Sequence, residues 1–202
     1  MKTLLLVVFL FSNIAVFGQK AVCSAITTKG DTIKGFYNTF KKGELRLWDL
    51  AMQERIQIPA DSLREYILAS TGKEPTVYEP IKRFAELPDK EFDLVSIFTK
   101  EEEVVPMARL SEGKLFLYRY TYLREKVLPF PSGVGNMNPT ENVPVYYITI
   151  DKKQFTRVKK LDVLKAKLSD CPKLVAKIGE KGYNKLDRDI EKIMDEYNAC
   201  KK

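Results

Sequence analysis

Histidine is absent from all 202 residues. Its absence removes the Ser-His-Asp and Cys-His nucleophile arrangements. It also removes the usual zinc sites, which rest on His or on clustered Cys, and the side chain that most often moves protons near neutral pH. Cysteine is scarce, with three residues, and there is one tryptophan. Beyond the first eighteen residues no apolar run approaches the roughly 20 residues that a bilayer requires. No cofactor motif is present. Gly133-Val134-Gly135-Asn136 lacks the third glycine and the Lys-Ser/Thr ending of a phosphate loop. Glu101-Glu102-Glu103 places three carboxylates in a row, where they point in different directions, and reads as a solvated loop or strand end rather than a metal site. Catalysis here would have to rest on carboxylates, Lys, Tyr, Ser or Cys.

What is present begins at the N-terminus. Met1-Lys2-Thr3 is a short positive start, Leu4 to Phe11 is unbroken and apolar, and Val16-Phe17-Gly18 ends on a small residue before Gln19. This is the layout of a secretory signal peptide over residues 1–18, with cleavage expected between Gly18 and Gln19. Lys20-Ala21-Val22 precedes Cys23 and argues against a lipidated cysteine, which needs a small residue directly before it. The chain from Gln19 is long enough to bury a core. Its 45% apolar and 30% charged residues suit a folded chain.

The net charge of +7 is unevenly placed. The segment Lys152–Lys181 carries the whole excess, and its basic residues are lysines apart from Arg157. Lys152, Lys153, Arg157, Lys159, Lys160, Lys165 and Lys167 form the candidate contact surface. The partners it would suit are anionic: lipid phosphate or an acidic glycan. Lysine is a hydrated point charge without the bidentate fork of arginine, so a solvated helical face is the competing reading. Nucleic acid is not expected as a partner of an exported chain.

Residues 19–158 read as a β-rich domain and residues 159–202 as C-terminal helices packed on it. Ala21–Thr28 and Thr32–Phe40 flank the turn Lys29-Gly30-Asp31. Lys41-Lys42-Gly43 makes the next turn. Glu44–Leu50 alternates, with Leu45 and Leu47 opposite Arg46 and Trp48; Arg55–Ile58 and Glu65–Leu68 follow. Connections this short build an antiparallel meander. Thr71–Asp89, with three prolines, reads as loops and short extended pieces. Phe92–Phe98 is a strand, and Val104–Leu110 another, which Pro106 would place at an edge. Lys114–Leu123 puts Phe116, Tyr118, Tyr120 and Tyr122 on one face and Leu115, Leu117, Arg119 and Thr121 on the other. Leu128–Pro144, rich in Pro and Gly, reads as a long surface loop. Val145–Ile150 and Lys153–Val158 form a hairpin around Asp151-Lys152.

Leu161, Leu164 and Leu168 then recur at helical spacing. Pro172 opens a short helix that Gly179 stops. Asn184 is placed to cap the last helix, whose apolar stripe is Tyr183, Leu186, Ile190, Ile193, Met194 and Tyr197. The fold class is α+β: a mainly antiparallel sheet, meander or sandwich, followed by a C-terminal helical segment.

Cys171 stands at the start of the short helix and Cys200 just past the last one. Antiparallel helices would bring them together as a disulfide in an oxidising compartment. The two arms are unequal, roughly 10 Å against 24 Å of helix, so the short helix must tilt. Cys23 is then left as a buried strand residue.

Four short motifs carry a resemblance: Thr28-Lys29-Gly30-Asp31-Thr32-Ile33-Lys34-Gly35, Leu110-Ser111-Glu112-Gly113-Lys114-Leu115-Phe116-Leu117-Tyr118, Asp170-Cys171-Pro172-Lys173-Leu174 and Tyr197-Asn198-Ala199-Cys200. With the Gly18-Gln19 leader end, the chain resembles small exported envelope proteins of Gram-negative bacteria that have no assigned activity. The resemblance implies a β-rich envelope protein with a helical C-terminus, and brings no catalytic residues. The expectation is a non-enzymatic, exported protein, periplasmic or outer-membrane associated, that binds an envelope protein or glycan through the Leu128–Pro144 loop and the basic segment. The alternatives are a glycan hydrolase using two carboxylates and lysine-mediated attachment to a membrane surface.

Overall fold

The computed structural model describes residues 21–82, 104–125, 140–179 and 182–200. The leader at 1–18, the Phe92–Phe98 strand, Glu101-Glu102-Glu103 and residues 128–139 of the expected loop lie outside them. The described residues form ten strands in a large antiparallel sheet and three helices, the last of them C-terminal. The chain divides into two compact units, 1–78 and 79–202.

In the first unit β1 (Val22–Thr27), β2 (Thr32–Lys41), β3 (Glu44–Trp48) and β4 (Arg55–Pro59) follow one another as antiparallel neighbours. The chain reverses between β2 and β3 at Lys42 and Gly43, both at positive φ (55° and 69°), as the tightest hairpin turns demand. A 3-10 turn, Ala60–Ser62, then leads into β5 (Leu63–Ala69), which returns to pair with β1, Cys23 opposite Leu68. The start of β6 (Thr76–Lys82) pairs with β5. Alternation decides the core. Leu45, Leu47, Cys23 and Ala25 are fully buried, and Tyr66 stacks on Tyr78 with ring centroids 5.1 Å apart, flanked by Tyr37 and Phe40. Trp48 lies across from the core and receives Arg55 over its ring at 4.7 Å.

In the second unit the order runs from β6 through β7 (Val104–Ser111), β8 (Phe116–Glu125) and β9 (Thr140–Thr149) to β10 (Thr156–Val158). Helices α1 (Leu161–Lys167), α2 (Pro172–Lys177) and α3 (Leu186–Ala199) follow. Strands β8 and β9 are buried on both faces over Leu117–Tyr118 and Val145–Ile148. Leu117, Tyr146 and Ile148 share a cluster with Leu164, Leu174, Ile190, Ile193 and Met194 of the helices. Their neighbours Tyr118, Val145 and Tyr147 share another with Val105 and Met107, edged by Phe116, Tyr120, Tyr122 and Phe155. The tyrosine face is therefore core, although Phe116, Tyr120 and Tyr122 stay only partly buried.

Several expectations need correction. Pro80 lies within strand β6, an extended piece of a stretch read as loops and short extended segments. Pro106 stands in β7, which lies between β6 and β8 and is no edge strand; one missing amide costs one rung, while buried Val105, Met107 and Ala108 hold the strand. Thr140–Pro144 is strand, not loop, because it continues the ladder opposite Thr121–Glu125. The hairpin arm after Asp151 shrinks to Thr156–Val158. The Asp151 carboxylate accepts the Lys153 and Gln154 amides (2.9 and 3.1 Å), and Lys152 adopts a left-handed φ of 58°, so these residues belong to the turn. Asn184 does not cap α3. The Asp189 carboxylate reaches back to accept the Asn184 and Lys185 amides, each at 3.0 Å, and is itself gripped by Arg188.

Candidate functional site

Among the described residues of the second unit, a buried carboxylate of β6 gathers an ionic cluster. Glu79, from β6, is 7% exposed. Its Oε1 accepts Arg109 Nη1 from β7 at 2.5 Å and Lys152 Nζ at 3.1 Å. Its Oε2 accepts the Tyr118 hydroxyl of β8 at 2.9 Å and Lys152 Nζ at 3.3 Å. Two cations and a phenol thus close around one carboxylate, which is what a buried charge requires. Burial first, then the adjacent Glu79 charge, pushes the Tyr118 phenol far above its ordinary range, so it stays protonated and donates to Glu79. The Lys152 ammonium also sits over the Phe116 ring at 4.7 Å. Arg109 reaches outward as well, with Nε 3.4 Å from Glu112.

The sequence reading missed this centre apart from Lys152. Glu79 sits beside Pro80 in a stretch read as loops and short extended pieces, where no face was assigned to the core. One signal was available: Tyr118 is the middle of an aromatic face, and a buried phenol hydroxyl needs a partner.

The seven candidate contact residues stand in different settings. Lys152 is drawn to Glu79, though its side chain remains 38% exposed. Lys153 is exposed in the Asp151 turn, and Arg157 is half-buried within β10, where burial lowers its pKa. Lys159 and Lys160 are exposed between β10 and α1, and Lys160 occupies the N-cap of α1. Lys165 and Lys167 lie in the last turn of α1; Lys165 is half-buried and Lys167 exposed. Cations at a helix C-terminus complement its dipole.

A second constellation joins three of the four motifs behind the resemblance. Cys171 and Cys200 stand at disulfide distance, with Cα atoms 6.4 Å apart. Two residues before Cys200, Asn198 grips the turn between β7 and β8: its Oδ1 accepts the Leu115 amide at 3.1 Å, and its Nδ2 donates to the Leu115 carbonyl and to Ser111 Oγ. Ser111 in turn donates to Asp195, at 3.1 Å. Lys114 lies 5.6 Å over the Tyr197 ring and donates to the Cys200 carbonyl. Tyr197 is hydrogen-bonded to Asp170, beside Cys171.

Cys23 is fully buried and unbridged, and burial pushes its thiol up to about 12, so it is not a nucleophile in the folded chain. Among the described residues no three His, Cys, Asp or Glu side chains gather as metal ligands, and no helix is long and apolar enough to cross a membrane. No protein-family model matches the chain, and neither a curated protein nor a solved structure matches it.

Proposed function

We propose that the chain is an exported envelope protein that acts by binding rather than catalysis, and that its partner is an envelope protein or acidic glycan met through the lysines of the 152–181 segment. The reading takes up the signal-like leader and the likeness to small exported envelope proteins. The observation that carries it is the pair Cys171–Cys200, set 6.4 Å apart and ready to bond where thiols oxidise. The exposed Lys153, Lys160 and Lys167 supply the attraction. Hydrolysis by two carboxylates is less well supported. Glu79 is met by Arg109, Lys152 and Tyr118, whereas a glycosidase pairs its carboxylate with a second one across about 5–10 Å.

Two measurements test the reading. The mass and free-thiol count of the protein recovered from cells should show a chain starting at Gln19 with Cys23 as its one free thiol. A product starting at Met1 in the cytosol, with three free thiols, would overturn export. Crosslinked pull-down should recover an envelope protein or glycan with the natural chain, and recover several-fold less of it when Lys153, Lys160 and Lys167 are all changed to Glu. Recovery of the free monomer alone would overturn binding.

A further inference from the structure

The final turn of α3 is held by two systems at once. One is covalent, Cys171 to Cys200. The other is the polar grip of Asn198, Asp195 and Lys114 on the β7–β8 turn. They act on the same few residues, since Asn198 and Cys200 are two positions apart. The polar contacts lie at the rim of the helix-side core: Gly113, Lys114 and Asp195 are exposed and Asn198 is half-buried, while Ser111 and Leu115 are buried. Contacts of that kind open locally at low cost. Ile190, Ile193 and Met194, further back on α3, lie in the helix-side core, whose near edge is formed by Tyr197, Leu115 and Cys171. Two constraints on one peripheral turn are thermodynamically linked, so each must strengthen the other by the same factor.

We propose that Cys171–Cys200 is a thiol–disulfide switch that sets whether the C-terminal turn of α3 stays docked on the β7–β8 turn. The operator is a dithiol reductant, protein or small molecule. Its thiolate attacks the sulfur of Cys200, which is less buried than Cys171. Cys171 leaves as the thiolate and takes up a proton. The second thiol of the reductant then closes its own disulfide and releases Cys200 as the thiol. Two electrons pass to the protein and the dithiol is oxidised. Without the bond, the Leu115 amide and carbonyl are released by Asn198 and the turn opens, while the core behind it stays closed. The switch does not depend on what the chain binds.

The test is amide hydrogen exchange on the full chain, held oxidised or reduced by a graded dithiol buffer. Reduction should speed exchange at Leu115 at least tenfold and leave Leu117 and Ile148, in the β8–β9 ladder, unchanged. The reciprocal arm uses Asn198→Ala in the oxidised protein. Its disulfide should be about tenfold easier to reduce, a rise in potential of about 30 mV. Unchanged protection at Leu115 on reduction, or an unmoved potential in N198A, would overturn the switch. So would loss of protection at Leu117 and Ile148 together with Leu115, since the bond would then be a staple for the whole unit.

Discussion

Gly113→Ala tests the grip on α3 from the other side. A Cβ built at Gly113 would lie 2.6 Å from Asn198 Cγ, 2.8 Å from its Oδ1 and 2.9 Å from its Cβ. Because the Asn198 Cβ is itself too close, rotating the Asn198 side chain does not clear the clash. The helix end must lift, and Asn198 then loses its bonds to Leu115 and Ser111. At about 1 kcal/mol net per hydrogen bond, three bonds amount to about 3 kcal/mol. Gly113 has no positive φ, so alanine fits its backbone and returns about 0.4–1 kcal/mol through the unfolded chain. The expected net loss is about 2 kcal/mol. With a urea slope of about 1–3 kcal/mol per molar, the midpoint should fall by about 1 M. Trp48 lies in the first unit, so the transition of the second is followed by amide exchange at Leu117 and Ile148 in graded urea, under non-reducing conditions. Repeating the substitution in an Asn198→Gly background should abolish the cost. A G113A protein as stable as the parent, or an equal loss in both backgrounds, would refute the steric reasoning.

Glu79→Ala should destabilise the second unit by about 2–4 kcal/mol, because removing one partner strands the others. The lower part of that range reflects Lys152, which can turn to water at 38% exposure. Calorimetry would check it, and a loss below about 0.5 kcal/mol would mean the centre is not ionic in solution. Asp189 makes a pH prediction. Its carboxyl is held well below the usual carboxylate range, chiefly by Arg188 and then by the Lys185 and Asn184 amides. A depressed folded pKa stabilises the fold above the unfolded value of about 3.9, and that contribution is lost as pH falls through the folded pKa. Asp189→Asn should therefore lower the melting temperature at pH 6 and flatten its decline below about pH 4. A variant that melts with the parental acid profile would show that the capping carboxylate does not couple to folding.

Elements whose pattern is local were readable from the residues. The strict alternation of Leu45 and Leu47, the Lys42-Gly43 turn, the Pro172 start and the Ile190–Ile193–Met194–Tyr197 stripe each declare themselves within a few positions. The misreadings share one cause, which is partners distant in sequence. Pro106 looked like an edge residue because the strands flanking it could not be seen. Thr140–Pro144 looked like a loop because its ladder partner, Thr121–Glu125, lies across an intervening segment. Glu79 meets Arg109, Tyr118 and Lys152 at separations of 30, 39 and 73 residues. No spacing rule reaches that far, and a lone buried carboxylate leaves no periodic trace. The cysteine pair was readable because both members sit at helix ends, Cys171 at the N-cap of α2 and Cys200 at the C-cap of α3.

The same long-range pairing changes what the basic segment can offer a partner. Read as sequence, all of its cations count equally. In the fold, Lys152 is matched by Glu79 and Lys177 by Glu196, at 3.1 and 2.9 Å. Arg157 is half-buried and Lys165 tucks against Gly179. A partner would therefore meet mainly the exposed lysines at the two ends of β10 and on α1. Hydrated point charges of this kind give attraction that fades within a Debye length of about 8 Å at physiological ionic strength. Attraction that short-ranged speeds encounter and favours anionic partners without specifying one. Specificity would then have to come from shape or hydrogen bonding elsewhere. Raising salt should weaken association with the natural chain while leaving residual binding that Lys153→Glu, Lys160→Glu and Lys167→Glu do not further reduce; complete release by salt alone would mean that charge is the whole of the recognition.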